Sequence, residues 1–505
     1  MKNEVFRMER VTYIENGITM LEDFNFNILE GEIVGFLPIN SFGMSSFLQL
    51  LQTNLPLEDG NIYFHEEIIN SWKESQRGNN RITVIQDKSC LVEGMTVADN
   101  IFVLRRGFKK RIIQPSVLEK QLEPFIAETD IHISAGAYVE KLSVFERIVV
   151  ELLKGIVAGH RLIVFSEIST LVSGNELEKL HEIMRHYAKQ DYSFIYIGFH
   201  FEDIIQICDR TVLMSNGRIE KVLQPREMHI KNLMTLTKEY DKMVRGYLAS
   251  KESTAAIGKP VCEVYAEIDS MEEPLHFTVC QKECLVIQSL DNYIYHELIQ
   301  MLADDSCNLY FEVLLDGKKE KISGNRKIGV IQEQCTQTML FGELNYIDNL
   351  CFNLDKRMRG VWLKKNVRRS IYKEYKQSFG REVFSTPVDF LTKKQKYQLV
   401  YTRILLQKPQ VVFCIQPFKG ADEEHRMYIW ELLEQLLEKG IAVVIIAVNL
   451  ADTLSLADRL ICIDRNKTQE EYRQKDFASI PVLAPWLYLY RDDVPEDVHS
   501  NDENQ

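Results

Sequence analysis

Residues 33–52 read Ile-Val-Gly-Phe-Leu-Pro-Ile-Asn-Ser-Phe-Gly-Met-Ser-Ser-Phe-Leu-Gln-Leu-Leu-Gln, and this stretch decides the fold. Its apolar beginning, Ile33 to Leu37, predicts a buried strand. A tight turn containing Gly43 follows, and the apolar residues from Phe47 to Leu51 then predict a helix. Strand, turn and helix in this order are the layout of a phosphate-binding loop.

The residues of this turn differ from those of a working phosphate loop. Such a loop carries two glycines, a lysine and a serine or threonine, because backbone N–H groups wrap the phosphates, the lysine adds charge and the hydroxyl holds Mg²⁺. Here Pro38 stands at the first glycine and removes a backbone donor. Met44 stands at the lysine and removes a contact worth about 1.5–3 kcal/mol. Gly43, Ser45 and Ser46 remain, so an ordinary strand–helix turn stays an alternative interpretation.

The composition sets the limits within which a function is sought. With 505 residues the chain is too long for one core, so we expect two or more domains. The net charge of −13 argues against a protein that coats nucleic acid. The longest apolar run, Ile441 to Val448, is far shorter than the ~20 residues that span a bilayer. We therefore expect no direct membrane insertion, and any membrane role must come through a partner.

The chain contains an internal repeat, which predicts a tandem duplication. The pair Leu142-Ser143 recurs as Leu391-Thr392, 249 positions later (391 − 142 = 249). The apolar run Leu162–Phe165 and the Asp209-Arg210 pair recur at the same offset. The segment ending in Gln86 recurs with its glutamine at Gln332, an offset of 246 (332 − 86 = 246). Four landmarks in one order make a chance match improbable.

Each half alternates apolar strands with amphipathic helices, which predicts α/β layers around a mainly parallel sheet. The strands expected in the first half are Ile33–Leu37, Ile82–Gln86, Arg161–Phe165, Ser193–Gly198 and Thr211–Met214, with a hairpin turn at Asn216-Gly217. We expect a first domain over residues 1–245, a polar linker over 246–260, a second and more degenerate domain over 261–488, and an acidic disordered tail over 489–505.

The order of these landmarks resembles that of an ABC-type ATPase domain, and two such domains in one chain resemble the fused ATPase subunit of ribose/galactose/xylose-type sugar importers. The sequences of Gly94–Phe102 and Glu167–Ser173 are similar to segments of that family. Gln416–Asp422 resembles a second copy of the Glu167–Ser173 segment. The resemblance implies two tandem P-loop NTPase-like domains. Each would have a mainly parallel sheet with helices, an antiparallel subdomain and a helical subdomain.

Site residues follow from the resemblance by position. Tyr13 would stack on adenine, Gly43 would belong to the phosphate loop, and Ser45 or Ser46 would coordinate Mg²⁺. Gln86 would contact the metal and the attacking water, and Glu167 would polarise that water. Each residue also has a purely structural interpretation: Tyr13 as a half-buried strand residue, Gln86 as a strand-end cap and Glu167 as a solvated loop acid.

The family's domains close head to tail, so the resemblance implies that a first site also uses the start of the Leu391–Gln395 segment. Thr392, Lys393 and Gln395 would contribute there, with Lys393 and Lys394 replacing the charge that Met44 removes. A solvated helix start is the alternative interpretation of this lysine pair.

The departures from the family pattern argue against catalysis. In the first half, Ser166 replaces the metal-linked aspartate, Phe199 replaces the γ-phosphate histidine, and Val144 with Phe145 replaces the two signature glycines. In the second half, the loop Gln288–His296 has no glycine and no lysine, and Ile415 with Gln416 replaces both carboxylates. Loss of one group of this kind costs ~10²–10³ in rate.

We therefore predict a pseudo-ATPase of the sugar-importer type, with ATP and Mg²⁺ at the first site only. Its expected partners are a multi-span membrane permease and an extracytoplasmic sugar-binding protein, and its expected location is the cytoplasmic face of the cell membrane, as a peripheral subunit. Two alternatives stay open: an active importer ATPase that uses one surviving composite site, and a soluble regulatory or scaffold module without a permease.

Overall fold

The computed structural model describes residues 2–73, 78–104, 114–129, 131–228, 258–268, 271, 273–289, 292–303, 311–322, 325–352, 365–380, 382–448, 450, 452–464 and 467–480. The chain divides into two compact units, one on each side of the stretch 229–257. The predicted linker, 246–260, lies outside the described residues except for its last three, and the predicted tail, 489–505, lies outside them entirely. The domain boundaries therefore stay predictions.

The first unit contains two sheets and several helices. Its strands are β1 (Glu4–Glu15), β2 (Ile18–Leu29), β3 (Ile33–Pro38), β4 (Asp59–Phe64), β5 (Glu67–Ser71), β6 (Ile82–Ile85), β7 (Leu162–Ser166), β8 (Ser193–Ile197), β9 (Arg210–Ser215) and β10 (Arg218–Leu223). Its α-helices are α1 (Met44–Gln52), α2 (Pro115–Ala127), α3 (Val144–Val157), α4 (Gly174–Ala188) and α5 (Phe201–Ile207).

The larger sheet of this unit has the strand order β10-β9-β3-β8-β7-β6. Strands β9, β3, β8, β7 and β6 run parallel, and β10 pairs antiparallel with β9. All residues of β3, β7 and β8 are buried, as expected for strands that are covered on both faces. The predicted strands are confirmed to within one or two residues. The hairpin at Asn216-Gly217 is also confirmed, with φ of 48° and 74°.

The second sheet of the unit is antiparallel, with the order β2-β1-β4-β5, and it packs through aromatic rings onto the start of α1. The ring centroids of Phe36 and Phe47 are 4.8 Å apart, those of Phe26 and Phe36 are 5.0 Å apart, and those of Phe24 and Phe47 are 5.3 Å apart. Each buried ring contributes about 1.5–3 kcal/mol. Because strand and helix share this core, both ends of the loop between β3 and α1 are fixed.

The second unit has the same architecture. Its strands are β11 (Pro260–Ala266), β12 (Leu275–Cys280), β13 (Cys284–Ser289), β14 (Phe311–Leu315), β15 (Lys318–Glu320), β16 (Ile328–Ile331), β17 (Val411–Ile415), β18 (Ala442–Ala447), β19 (Arg459–Asp464) and β20 (Lys467–Arg473). Its α-helices are α6 (Asn292–Ala303), α7 (Cys335–Thr338), α8 (Tyr346–Cys351), α9 (Lys365–Phe379), α10 (Lys393–Gln407) and α11 (Glu423–Glu438).

The strand orders of the second unit, β16-β17-β18-β13-β19-β20 and β12-β11-β14-β15, reproduce those of the first. Helices α8, α9 and α10 share a smaller apolar cluster around Tyr346, Ile371 and Leu399, which forms the predicted helical subdomain. The tandem α/β fold is therefore confirmed. Within the described residues, no helix combines the length and the apolar character needed to cross a bilayer.

Candidate functional site

The loop between β3 and α1 is held to the β9–β10 turn by the side chain of Asn40. Its Oδ1 accepts hydrogen bonds from the backbone N–H of Phe42 at 3.3 Å and of Asn216 at 3.1 Å. Its Nδ2 donates to Asn216 Oδ1 at 3.0 Å and to Ser215 Oγ at 3.3 Å. Asn40 is not among the site residues predicted from the sequence, although asparagine in a turn commonly bonds to backbone two residues on. Asn40 therefore closes the loop with protein contacts.

Gly43 is required by packing. Its φ of 79° is left-handed, and a Cβ at this position would lie 2.4 Å from the carbonyl oxygen of Met20. Gly217, at the β9–β10 turn, meets the same carbonyl, at 2.1 Å from an added Cβ. Only glycine combines this φ with such a close approach at no steric cost. Gly43 is thus needed whether or not a phosphate binds, and its role in nucleotide binding stays a prediction.

Met44, at the lysine position of a phosphate loop, packs in the core. The residue is 7% exposed and belongs to the same buried cluster as Phe47 and Leu50. Its backbone N–H donates to the carbonyl of Ser41 at 3.3 Å, within the loop. The side chain that would meet phosphate in a working loop here contributes to packing.

The two candidate Mg²⁺ ligands on α1 differ in exposure. Ser45 is exposed in the first turn of the helix. Ser46 is 1% exposed, and its hydroxyl donates to Glu15 Oε2 at 3.4 Å. An exposed hydroxyl can reach a metal ion in the loop without rearrangement, so Ser45 suits this role better than Ser46.

Tyr13 lies on β1, opposite Leu21 of β2, with 8% of its surface exposed. Burial raises the pKa of its phenol, and the nearby carboxylate of Glu15 raises it further. Stacking on adenine uses an open ring face, as aromatic contacts require. The core covers most of this ring, and its adenine-binding role stays a prediction.

Gln86 and Glu167 lie at the carboxyl edge of the parallel sheet, where the loop after β3 also lies. Ile85 pairs with Phe165, so Gln86 follows its strand beside Ser166. Gln86 is exposed, whereas Ser166 is buried. Glu167 has a left-handed φ of 58°, and its backbone N–H donates to the carbonyl of Ile197 at 2.8 Å. The structure therefore brings these predicted residues to one edge.

The residues at the start of α3 cap the helix. Ser143 Oγ accepts from the backbone N–H of Glu146 at 3.2 Å, and Glu146 Oε2 accepts from the Ser143 N–H at 2.7 Å. Phe145, at the second signature-glycine position, is buried. This reciprocal pair is a capping box. It accounts for the segment as a helix start.

The equivalent residues of α10 are also bonded within their own unit. Thr392 and Gln395 form the same capping box. The ammonium of Lys393 donates to the carbonyl of Gly420 at 2.6 Å, and that of Lys394 lies 3.8 Å from Glu424. The nucleotide contacts predicted for Thr392, Lys393 and Gln395 stay predictions.

A polar network joins the corresponding elements of the second unit. The hydroxyl of Tyr295 donates to Glu333 and accepts from Gln416 Nε2 at 3.1 Å. Lys419 Nζ lies 2.8 Å from Glu333 Oε2. Burial raises the pKa of Tyr295, so the phenol remains a proton donor. The network comprises one carboxylate, one ammonium and two neutral groups, and its charges balance.

Two members of this network, Tyr295 and Gln416, stand at the counterparts of Met44 and Glu167 in the first unit. Tyr295 follows β13 by six residues, as Met44 follows β3. Gln416 follows β17 as Glu167 follows β7, and its φ of 39° is also left-handed. Glu333 comes directly after Gln332, the counterpart of Gln86. In the sequence these residues lie too far apart for their contacts to be foreseen, and only the loss of a carboxylate at Gln416 was predicted.

Comparisons with known proteins give a family match for part of the chain. A family model described as ABC transporter matches residues 21–169. The ribose import ATP-binding protein RbsA of Oceanobacillus iheyensis is 23% identical, over 94% of this chain and 97% of that protein. The galactose/methyl galactoside import ATP-binding protein MglA 1 of Photobacterium profundum is 21% identical, over 96% and 99%. The xylose import ATP-binding protein XylG of Moorella thermoacetica is 20% identical, over 96% and 99%.

Among solved structures, cbiO1 of Clostridium perfringens, part of the ABC transporter complex cbiONQ, aligns with 49% of this chain and 97% of its own, at 17% identity and a TM-score of 0.39. The matched residues 21–169 include the loop, Gln86 and Glu167. The chain has two units with the same strand orders in tandem, and the family match lies in the first. It is similar over nearly its whole length to proteins named as sugar import ATP-binding proteins.

An ATP–Mg²⁺ complex fits only part of the site in the first unit. Ser45 and Gln86 offer exposed oxygen ligands of the kind that Mg²⁺ prefers. Met44 provides no charge for the triphosphate, and Ser166 provides no metal-linked carboxylate. In addition, the N–H groups of Phe42 and Met44 are bonded within the loop. The residues present therefore fit the metal ion in part and the triphosphate poorly.

Proposed function

We propose that this chain is the ABC subunit of a carbohydrate importer and has become a pseudo-ATPase that couples to a membrane permease. The sugar import relatives support the transport role. The burial of Met44 in the core is the observation that carries the loss of catalysis, because a thioether packed there cannot neutralise a phosphate. ATP and Mg²⁺ bind weakly, at the first site only.

The same proposal assigns the protein to the cytoplasmic face of the membrane, as a peripheral subunit. Its partners are a multi-span permease and, through it, an extracytoplasmic sugar-binding protein. The retention of both cores, with the polar network in the second unit, supports a binding role for the fold. A permease partner predicts co-fractionation with membranes only from cells that contain that permease.

The decisive experiment measures phosphate release from Mg²⁺–ATP by the full chain and its Glu167→Gln variant. We expect both proteins to release phosphate at the background rate, because the lysine and the metal-linked acid are absent together. Hydrolysis that is abolished by Glu167→Gln would instead establish an active importer ATPase. Stimulation by permease-containing membranes must be tested in the same assay.

Nucleotide binding is measured separately with a fluorescent ATP analogue, with and without Mg²⁺. Ser45→Ala removes the exposed hydroxyl, and Gln49→Ala alters an exposed residue of the same helix as a matched control. Tyr13→Ala tests the adenine contact, with the fold checked by circular dichroism. Weak, Mg²⁺-dependent binding that Ser45→Ala reduces supports a residual nucleotide switch. No binding at millimolar nucleotide, together with no membrane association, would favour the soluble scaffold.

A further inference from the structure

A cavity of about 560 Å³ lies in the second unit, beside the edge strand β16. Helices α6 and α10 form its walls. Its apolar lining includes Ile299, Leu302, Ile328 and Ile404. Polar side chains, among them Gln332, Thr338 and Gln407, complete the lining. A cavity of this volume with an apolar wall and several polar groups is typical of sites for small molecules.

A buried cation stands in the wall of this cavity. Arg403 is 4% exposed, and in the described part of the chain its one hydrogen bond runs from Nη2 to the carbonyl of Met339, at 2.8 Å. No described carboxylate pairs with it, and burial lowers the pKa of its guanidinium. Its other two guanidinium nitrogens, Nε and Nη1, are not fully enclosed by protein, so they can be reached from the cavity that Arg403 lines. A buried charge without a counter-ion is costly.

The corresponding cavity of the first unit contains a carboxylate beside its cation. Its own cavity, about 910 Å³ beside β6, is lined by Lys154 and Glu151 of α3. Glu151 is buried, and its Oε1 accepts hydrogen bonds from the Ser89 hydroxyl and the Cys90 N–H, the latter at 2.8 Å. Burial raises the pKa of Glu151, whereas the charge of Lys154 lowers it. Arg81 also lines this cavity, and the charges of Lys154 and Glu151, on one helix, partly compensate each other.

The second unit keeps the cation of this pair and has lost the carboxylate. Arg403 stands 249 positions after Lys154, the offset of the repeat, and Val400 stands 249 positions after Glu151. Val400 is fully buried and carries no charge. The helix of the second unit therefore supplies no carboxylate beside Arg403, and the cavity leaves room for one from a ligand.

We propose that the cavity beside β16 binds an organic anion, a single carboxylate on an apolar body, whose carboxylate pairs with Arg403. A guanidinium offers two parallel N–H donors that match a carboxylate. Arg326 and Glu333 also line the cavity, but Arg326 is exposed and Glu333 pairs with Lys419. Among the described residues of the lining, Arg403 therefore carries the buried charge that lacks a counter-ion, and a single such charge favours a monoanion over a polyphosphate. The apolar wall at Ile299 and Leu302 takes the body of the ligand. The proposal concerns the second unit alone and does not depend on nucleotide binding.

The test uses dansylglycine as the probe, because it carries one carboxylate on an apolar fluorescent ring system. Its fluorescence is titrated with the full-length chain. Dansylglycinamide, the neutral analogue of the same shape, serves as the control ligand. We expect saturable binding of dansylglycine, and at least about tenfold weaker binding of the amide, because the amide cannot form the ion pair. Equal affinities, or no saturable binding at millimolar probe, would overturn the proposal.

Variants assign the binding to the cavity. Arg403→Met removes the charge and keeps an unbranched chain, and we expect it to weaken dansylglycine binding at least about tenfold. Arg403→Lys keeps a charge and should restore part of the affinity. Lys154→Met, at the matched position of the first unit, should leave binding unchanged. Unaltered binding by a folded Arg403→Met protein would contradict the assignment. An acidic side chain of a partner protein as the true occupant would show as the absence of probe binding.

Discussion

Met44 illustrates how one side chain decides what a loop can do. In the first unit its side chain is buried in the core cluster that also contains Phe36 and Phe47, although its backbone stands at the lysine position of a phosphate loop. The sequence predicts the loss of charge at this position, since methionine carries none. It cannot predict that the side chain turns into the core, because that depends on the ring cluster formed by β2, β3 and α1.

His181 of α4 is a second residue whose behaviour follows from burial. It is 2% exposed, and its ring meets that of Tyr196 edge-on, with centroids 5.7 Å apart. Burial lowers the pKa of His181 to about 4, and the charge of Arg185 acts in the same direction. The folded state therefore binds a proton less readily than the unfolded state, whose pKa is near 6.5. Stability that is present above pH 6.5 is lost as the pH falls towards 4.

We predict that acidification from pH 7.5 to pH 5 lowers the free energy of unfolding of the wild type by about 2 kcal/mol more than that of His181→Phe. Phenylalanine keeps the ring contact but cannot take up a proton. The free energy of unfolding is measured by urea titration, with hydrogen exchange of peptides from Gly174–Ala188 as the readout. Other groups titrate equally in the two proteins and cancel in the difference. Equal losses in both proteins would show that His181 does not carry this pH dependence.

At the scale of elements, the strands and helices follow from local pattern, and the polar network of the second unit does not. The expected strand Arg161–Phe165 is found at Leu162–Ser166, because apolar runs identify buried strands without tertiary information. Tyr295, Glu333 and Lys419 meet only because α6 and the ends of β16 and β17 converge at one edge of the sheet. Their residue types alone indicate surface positions.

The Lys419–Glu333 pair should couple these element ends measurably. Its side chains are 13% and 28% exposed. We predict a coupling energy of about 1–3 kcal/mol from the variants Lys419→Met, Glu333→Gln and their combination, because each single change leaves a partly buried charge without its partner. The measurement is the free energy of unfolding of the second unit in urea.

The exposed pair Lys319–Glu312 provides the matched control for this cycle. Its side chains are 53% and 45% exposed, and both lie in the same unit. Exposed ion pairs contribute only about 0.2–1 kcal/mol, because water screens them. A coupling at Lys419–Glu333 no larger than at Lys319–Glu312 would mean that the network does not hold the ends of β16 and β17 together.

At the scale of the whole molecule, the same sheet orders carry two different sets of side chains. The duplication is predictable from the offsets, and so is the loss of carboxylates at Ser166 and Ile415. The contacts that the replacing side chains make in each copy are not predictable from the sequence. The first copy places Met44 in its core, whereas the second places Tyr295 in a charge-balanced network.

This asymmetry predicts different responses to restoring the family's residues. Met44→Lys with Ser166→Asp should raise the Mg²⁺-dependent affinity for a fluorescent ATP analogue at least about tenfold, because a lysine contact and a metal-linked acid return together. The matched pair Tyr295→Lys with Ile415→Asp should leave affinity unchanged, since the loop Gln288–His296 still has no glycine. Equal gains from both pairs would show that the two loops are equally able to hold phosphate.

The left-handed corner after β7 and after β17 has a broader consequence. Glu167 and Gln416 share this backbone geometry, with φ of 58° and 39°, although one side chain is acidic and the other is neutral. Such a conformation costs a non-glycine residue about 1–2 kcal/mol. The same main-chain path thus carries an acidic side chain in one unit and a neutral side chain in the other. For protein engineering, this corner is a position whose backbone conformation accepts different side chains. A new functional group can therefore be introduced there by one substitution, without redesign of the turn.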